Sequence, residues 1–432
     1  MPKSRSPLVI IFITIFIDLV GFGIVIPVLP LYAERYGASE STIGLLLAVY
    51  SMMQFIFAPI LGKISDRVGR RPVLLVSLIG TSVGFLIMGF ANRLPQGIGF
   101  VGISATLIWL FTARIIDGIS GGNISTAQAY IADVTPPEER SRGMGLIGVA
   151  FGLGFIFGPA IGGVMSHVSP EAPFFFASAL AAANVTALYF LLPESLSPEH
   201  RGQAHSRGNL FDVLKESGNW HLKSVMATYF FATLAFAMMT ATYALFASKR
   251  FAFDATHTGY VFAFVGVIGA VIQGGLLGRL VKAFGEKTLA VVGTAIFAVS
   301  LFALPISGTV AMLLLTSTGV AIGNSFVTPT LNGMASKGVG PAAQGRILGM
   351  MASAASLARI FGPVLGGVLL DRDSRSLAAQ LTHYGRSPYW TSGTIMLIAM
   401  VLAIAAHATE SQAKVESQTE AASLAGQGTG KQ

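Results

Sequence analysis

The chain has 432 residues, 53% of them hydrophobic and only 11% charged, with 28 Lys plus Arg against 20 Asp plus Glu and a mean hydropathy of +0.68. A water-soluble domain needs far more surface charge, so this composition excludes one, and the lack of cysteine excludes disulfides, thiolate metal sites and cysteine nucleophiles. The net charge of +8 sits between apolar runs, so it reads as orientation signal against anionic lipid, with no nucleic-acid partner expected.

A helix that crosses a bilayer takes about 20 apolar residues. In chain order, charge-poor stretches of that kind are Leu8–Tyr32, Ser41–Gly62, Pro72–Asn92, Gly99–Ala132, Gly143–His167, Ala172–Pro193, Ser224–Ser248, Thr258–Gly278, Thr288–Ser336, Ile347–Leu370 and Pro388–Thr409. The first is too long for a signal-peptide core and carries Asp18, Pro27 and Pro30, so it is expected to remain as the first span. The ninth is too long for one span, and Pro305 with Gly308 places a turn inside it. Splitting it there gives twelve spans.

An even number of spans puts both termini on one face. Nineteen of the Lys and Arg residues fall in segments on that face, among them Lys63, Arg67, Arg70, Arg71, Arg279 and Lys282, against seven on the other. The positive-inside rule then makes the termini cytoplasmic and the protein a multi-pass protein of the inner membrane. The segment 194–221 is the longest polar interior stretch and is expected to be a cytoplasmic linker. It divides a six-helix bundle in 1–193 from a second in 222–409, and residues 410–432 read as a disordered tail.

The halves repeat each other. Gly158-Pro159-Ala160-Ile161-Gly162-Gly163 in the fifth span returns as Gly362-Pro363-Val364-Leu365-Gly366-Gly367 in the eleventh. Gly62-Lys63-Ile64-Ser65-Asp66-Arg67-Val68-Gly69 after the second span has a weaker echo, Gly278 to Gly285, after the eighth. Parallel repeats of six spans are a transporter architecture, with substrate held near the midplane between them.

Four charges lie well inside spans: Asp18, Arg114, Asp117 and Arg359. Each costs about 2.5–3.5 kcal/mol at the bilayer centre, so each needs a partner or a polar cavity. Asp18 can carry a proton or stand as the fixed counter-ion of Arg114. Arg114 and Asp117, three residues apart, share a helix face; they can tune a proton site or neutralise each other. Arg359 is either a substrate-site charge or the counter-ion of an acid across the cavity. Gln54, Asn123, Gln273, Asn324 and Asn332 are polar residues in or at the ends of spans, suited to a cavity wall or to interhelical hydrogen bonds. In the loop after the second span, Asp66 among Lys63, Arg67, Arg70 and Arg71 can form a breakable latch with an arginine or a helix N-terminus, and Asp133 can join it. The fifth span carries Gly148, Gly152, Gly154, Gly158, Pro159, Gly162 and Gly163, which permit close helix contact and a kink. The seven histidines show no metal-ligand spacing, and neither a metal nor another cofactor is expected.

These residues carry a resemblance. Gly62 to Arg71 resembles the loop signature of the major facilitator superfamily, and Arg114-Ile115-Ile116-Asp117-Gly118 its fourth-span signature. The fifth-span glycine–proline series resembles that of its twelve-helix drug/proton antiporters, as does Asp18 with Pro27 and Pro30. Ala129 to Thr135, Pro173-Phe174-Phe175 and Leu192-Pro193-Glu194-Ser195 look most like the tetracycline-efflux proteins. The resemblance implies an all-α integral membrane fold of two pseudo-symmetric six-helix bundles. It also implies Asp18 as an essential membrane acid, Asp66 and Arg70 with Arg67 and Asp133 as gating residues, and Arg114 as the fourth-span arginine. The sequence departs from that group where Gly84 replaces a third-span acid, where Gly269 stands near a histidine position, and in a ninth span without an acid.

The expected function is proton-driven export of a hydrophobic small molecule, neutral or cationic, by a monomer working through alternating access. The alternative is a symporter or uniporter of the same superfamily importing a sugar or other metabolite. No catalytic constellation supports an enzyme.

Overall fold

A computed structural model of the chain describes residues 7–95, 104–136, 140–197, 199, 220–339, 344–375 and 384–406. Most of the expected linker 194–221 and the whole expected tail lie outside these residues. Among the described residues all regular structure is helical: α1 (Pro7–Arg35), α2 (Glu40–Val68), α3 (Arg70–Phe90), α4 (Ala105–Ser120), α5 (Ile124–Val134), α6 (Arg140–Met165), α7 (Ala172–Leu191), α8 (Trp220–Phe251), α9 (Ala255–Val271), α10 (Leu277–Phe284), α11 (Glu286–Ala303), α12 (Val310–Lys337) and α13 (Gln344–Ser374), followed by α14 (Arg386–Ala406).

Eleven helices, counting α9 and α10 as one, are long and apolar enough to cross a bilayer. The twelfth span is α4 and α5 together, joined through a 3-10 turn at Gly121–Asn123. The charge-poor run 99–132 is continuous in the sequence, and the structure breaks it at this turn. Its cause is packing: a Cβ on Gly121 would stand 2.6 Å from the Tyr50 hydroxyl, and one on Gly122 2.9 Å from the Ala58 amide nitrogen. Two glycines let the span come against α2 but give up helix propensity there. The eighth span is interrupted as well, by a π-turn at Ile272–Leu276 that contains Gln273, a feature that often marks functional positions.

Capping sets the helix starts. Ser39, Ser104 and Thr309 accept from the backbone amides of Thr42, Leu107 and Met312, and Asp254 accepts from that of His257 at 2.9 Å, each satisfying an orphan amide at a helix N-terminus. Burial opposes the charge of Asp254, but the bonds from His257 outweigh it and hold the carboxyl below its ordinary range. The repeat is visible at two turns. Gly69 (φ 110°) ends α2 and opens α3, and Gly285 (φ 81°) ends α10 and opens α11, both in the left-handed region where only glycine is at ease. Leu304–Ile306 with Pro305 makes the turn between the ninth and tenth spans.

The glycine–proline repeats place the halves against each other. Along α6, Gly154, Gly158 and Gly162 lie against Leu19, Gly23 and Ile24 of α1, while Pro159 and Gly163 lie against Gly259 and Thr256 of α9. Along α13, Gly362 and Gly366 lie against α8, while Pro363 and Gly367 lie against Gly44 and Glu40 of α2. Each repeat therefore packs one face within its own half and the other across to the opposite half. These cross-contacts bring backbones together at the face away from the amino terminus, where α2 and α9 begin.

Candidate functional site

Between the halves lies a cavity of about 1980 Å³, lined from both and reaching the ends of α5 and α12 and the starts of α6 and α13. It therefore opens to the face that carries the amino terminus. Asp18, Gln54, Arg114, Gln273, Asn324, Asn332 and Arg359 line it. Asp117 and Asn123 do not: both are buried, and the 3-10 turn sets Asn123 beside the Asp18 carboxyl.

The embedded charges sort themselves into one pair and two lone groups. Arg114, 1% exposed, donates from a terminal guanidinium nitrogen to Asp117 Oδ2 at 2.8 Å, and its guanidinium lies 4.2 Å from the centre of the Tyr50 ring. The cation is thus satisfied by a carboxylate and a π-face together. Asp18 is not its partner. Asp117 is the charge that acts on Asp18, and it is of the same sign. Asp117 in turn fills room left by Gly84, whose Cβ would stand 3.1 Å from the Asp117 Cβ. An acid at position 84 would crowd the one on the fourth span, which would have to shift by a few tenths of an ångström.

Tyr50, which the sequence reading did not single out, is the hub. It lies within electrostatic reach of Asp18, Asp117, Arg114 and Arg359. Gln54 donates to the Gly121 carbonyl at 2.8 Å and to the Tyr50 hydroxyl at 3.4 Å, tying α2 to the break in the fourth span. An aromatic seam continues from it: Phe22 lies 5.6 Å from Tyr50 and 6.1 Å from Phe155, and Phe155 lies 6.5 Å from Phe236 of the other half. No motif marks this seam, because phenylalanine is abundant along the chain.

Arg359 donates to Ser356 Oγ at 3.1 Å. Asn324 accepts from Thr328, Asn332 donates to the Thr328 carbonyl, and Gln273 is exposed on the wall.

At the face that carries the amino terminus, Arg70 holds two carboxylates, Asp66 and, at 3.1 Å, Asp133, and also donates to Ser65 Oγ. Glu194 completes this cluster, a role the sequence reading did not give it. Its carboxylate accepts from the backbone amides of Arg70 (2.9 Å) and Arg71 (3.1 Å), capping α3. Arg67 is exposed and stands outside the cluster. All four groups belong to one half, so Asp66 meets an arginine of its own half and not a helix terminus from the other.

At the opposite face the halves are latched. Lys249 of α8 binds Glu40 at 2.7 Å and Glu34 at 3.6 Å, Tyr384 donates to Glu40, and Ser41 donates to Asp371 at 3.0 Å.

The family model described as "Major Facilitator Superfamily" matches residues 11–279 and 227–428. The chain is 35% identical over 373 residues to the tetracycline resistance protein, class C, of Escherichia coli, covering 84% of this chain and 89% of that one. It is 30% identical over 408 residues to multidrug resistance protein 2 of Bacillus subtilis, covering 93% and 95%. Among solved structures it resembles a bacterial homologue of the human lysosomal transporter Spinster, inward-facing and occupied, with TM-score 0.73 and 14% identity over 93% of this chain and 96% of that one.

Proposed function

Since the chain belongs to the Major Facilitator Superfamily, a family of multi-pass membrane transporters of small molecules, we propose that it exports hydrophobic drug-like compounds in exchange for protons by alternating access. The observation that carries this reading is Asp18, a carboxyl on the cavity wall without a cation of its own, because Asp117 already holds Arg114. An acid so placed can exchange a proton with whichever face the cavity meets. The resistance proteins that resemble the chain support the export direction.

In this reading the structure is the state open to the cytoplasm, with the Lys249–Glu40 latch shutting the far face. Substrate enters, the far seams between α2 and α13 and between α6 and α9 part, and the halves close at the Asp66–Arg70–Asp133 end. One charge falling through 100 mV supplies about 2.3 kcal/mol. At about 1.4 kcal/mol per decade, that sustains a substrate gradient of roughly 50-fold.

The test uses everted vesicles energised by respiration, with a panel of lipophilic compounds added to wild type and to Asp18→Asn. Collapse of the pH gradient by a compound with wild type alone supports antiport through Asp18. Accumulation of a sugar or metabolite, with no compound moving protons, overturns it.

A further inference from the structure

We infer that the second half contributes an anion-recognising subsite centred on Arg359, and that the transported molecule is an aromatic amphiphile carrying a carboxylate or a similar acidic group. The inference rests on the transporter reading and names the substrate class of the same cavity.

The sequence left Arg359 two roles, and the geometry separates them. No acid among the described residues pairs with it. Its bond to Ser356 Oγ uses one of five guanidinium donors, and the ionisable neighbours within its electrostatic reach are the phenols of Tyr229 and Tyr50. Asp18, the one unpaired acid among the described residues of the wall, has Asp117 and Asn123 as its neighbours instead. Arg359 is therefore not its counter-ion. A guanidinium on a membrane-embedded wall is costly unless water or an anion meets it, and its planar donor fork matches a carboxylate two bonds at a time.

The rest of the wall says what the acid would be attached to. Phe22, Phe155 and Phe236 form a ring-to-ring floor that crosses from the first half to the second. An aromatic body lying on that floor can set its acidic group against Arg359 and leave Asp18 free for protons. A cationic substrate would meet the reverse: an unpaired positive charge beside its apolar body.

The probes are dansylglycine and dansylglycinamide, identical except for the carboxylate, titrated by dansyl fluorescence into purified wild type, Arg359→Gln and Arg359→Lys. Wild type is expected to bind dansylglycine about tenfold tighter than the amide, the scale of a charged hydrogen-bonded contact. Arg359→Gln should erase that preference by weakening dansylglycine alone, and Arg359→Lys should keep part of it. Equal affinities in wild type, failure of wild type to bind either probe, or equal weakening of both by Arg359→Gln overturns the proposal. Binding is read without a proton gradient, so the two readings fail separately. A carboxylate preference with no drug-driven proton movement in vesicles would sink the exporter and leave the subsite standing. Drug-driven proton movement with no such preference would do the reverse.

Discussion

Arg114 donates to Asp117 at 2.8 Å on the same helix and leaves Asp18 unpaired on the cavity wall. Two acids that look alike in the sequence therefore have different physical jobs, and substitution should separate them. Asp117→Asn strands a buried guanidinium whose Nε already lacks a hydrogen-bond partner. Breaking one side of a buried pair costs about 3–5 kcal/mol, so this variant should melt well below wild type in detergent. Asp18→Asn should melt like wild type. Equal melting temperatures for the two variants would remove the distinction.

Glu194 caps α3 through two backbone amides, and the helix it caps begins with Arg70, which holds Asp66 and Asp133. Glu194→Ala should cost about 1–2 kcal/mol through the lost cap and helix-dipole contact. Glu194→Gln keeps an acceptor oxygen for the Arg70 amide but turns an NH2 donor toward the Arg71 amide and loses the charge, so it should recover only part of that loss. Thermal unfolding of the three proteins checks the order. An alanine variant as stable as wild type would leave Glu194 no part in holding the cluster.

The fold was legible in the sequence because spans are written in long apolar runs, and the repeat in Gly158 to Gly163 and Gly362 to Gly367. The breaks were not. Gly121 and Gly122 weaken the helix where the fourth span comes against Tyr50 and Ala58, and that contact is tertiary. The site was legible as a set of charges but not as pairs: the i, i+3 spacing of Arg114 and Asp117 permitted the bond, while the exclusion of Asp18 from it depends on how α1 meets the fourth span. Tyr50, Glu194 and the Lys249–Glu40 latch escaped because each acts through a residue distant in sequence, and tyrosine or lysine at a span carries no motif.

Lys249 with Glu40 latches the face opposite the cavity mouth at 2.7 Å. The lysine is about a third exposed, so the pair contributes on the order of 1 kcal/mol, worth roughly fivefold in the balance between the two faces. Lys249→Gln should shift that balance away from the observed state. The chain lacks cysteine, so Gly145→Cys, on the cavity wall with open space around it, gives a background-free reporter. Its labelling by an impermeant maleimide in everted vesicles should slow in the Lys249→Gln background and recover in part in the charge-swapped Lys249→Glu, Glu40→Lys double variant, since Glu34 also faces position 249. Unchanged labelling in the single variant would strip the latch of its role.

The glycines of the fifth span, and Gly44 of the second, should divide by what surrounds them. Gly152 lines the cavity and a Cβ there meets nothing within 4 Å, so Gly152→Ala should change stability by less than about 0.5 kcal/mol and leave transport intact. Gly158 faces α1 so closely that a Cβ would stand 2.6 Å from the Gly23 Cα, and Gly44 faces α13 with a Cβ 2.2 Å from the Pro363 carbonyl oxygen. Neither obstacle is a flexible side-chain tip, so the backbones must part. The two contacts differ in kind, however. Gly158→Val separates helices of one half, and overpacking of about 1–3 kcal/mol should appear as a lower melting temperature. Gly44→Val separates the halves at the seam that closes the far face. It should therefore slow labelling of Gly145→Cys, by holding the protein open the other way, with a smaller loss of stability. If Gly44→Val lowers the melting temperature as much as Gly158→Val and leaves labelling unchanged, the α2–α13 contact is ordinary packing and not a seam that opens.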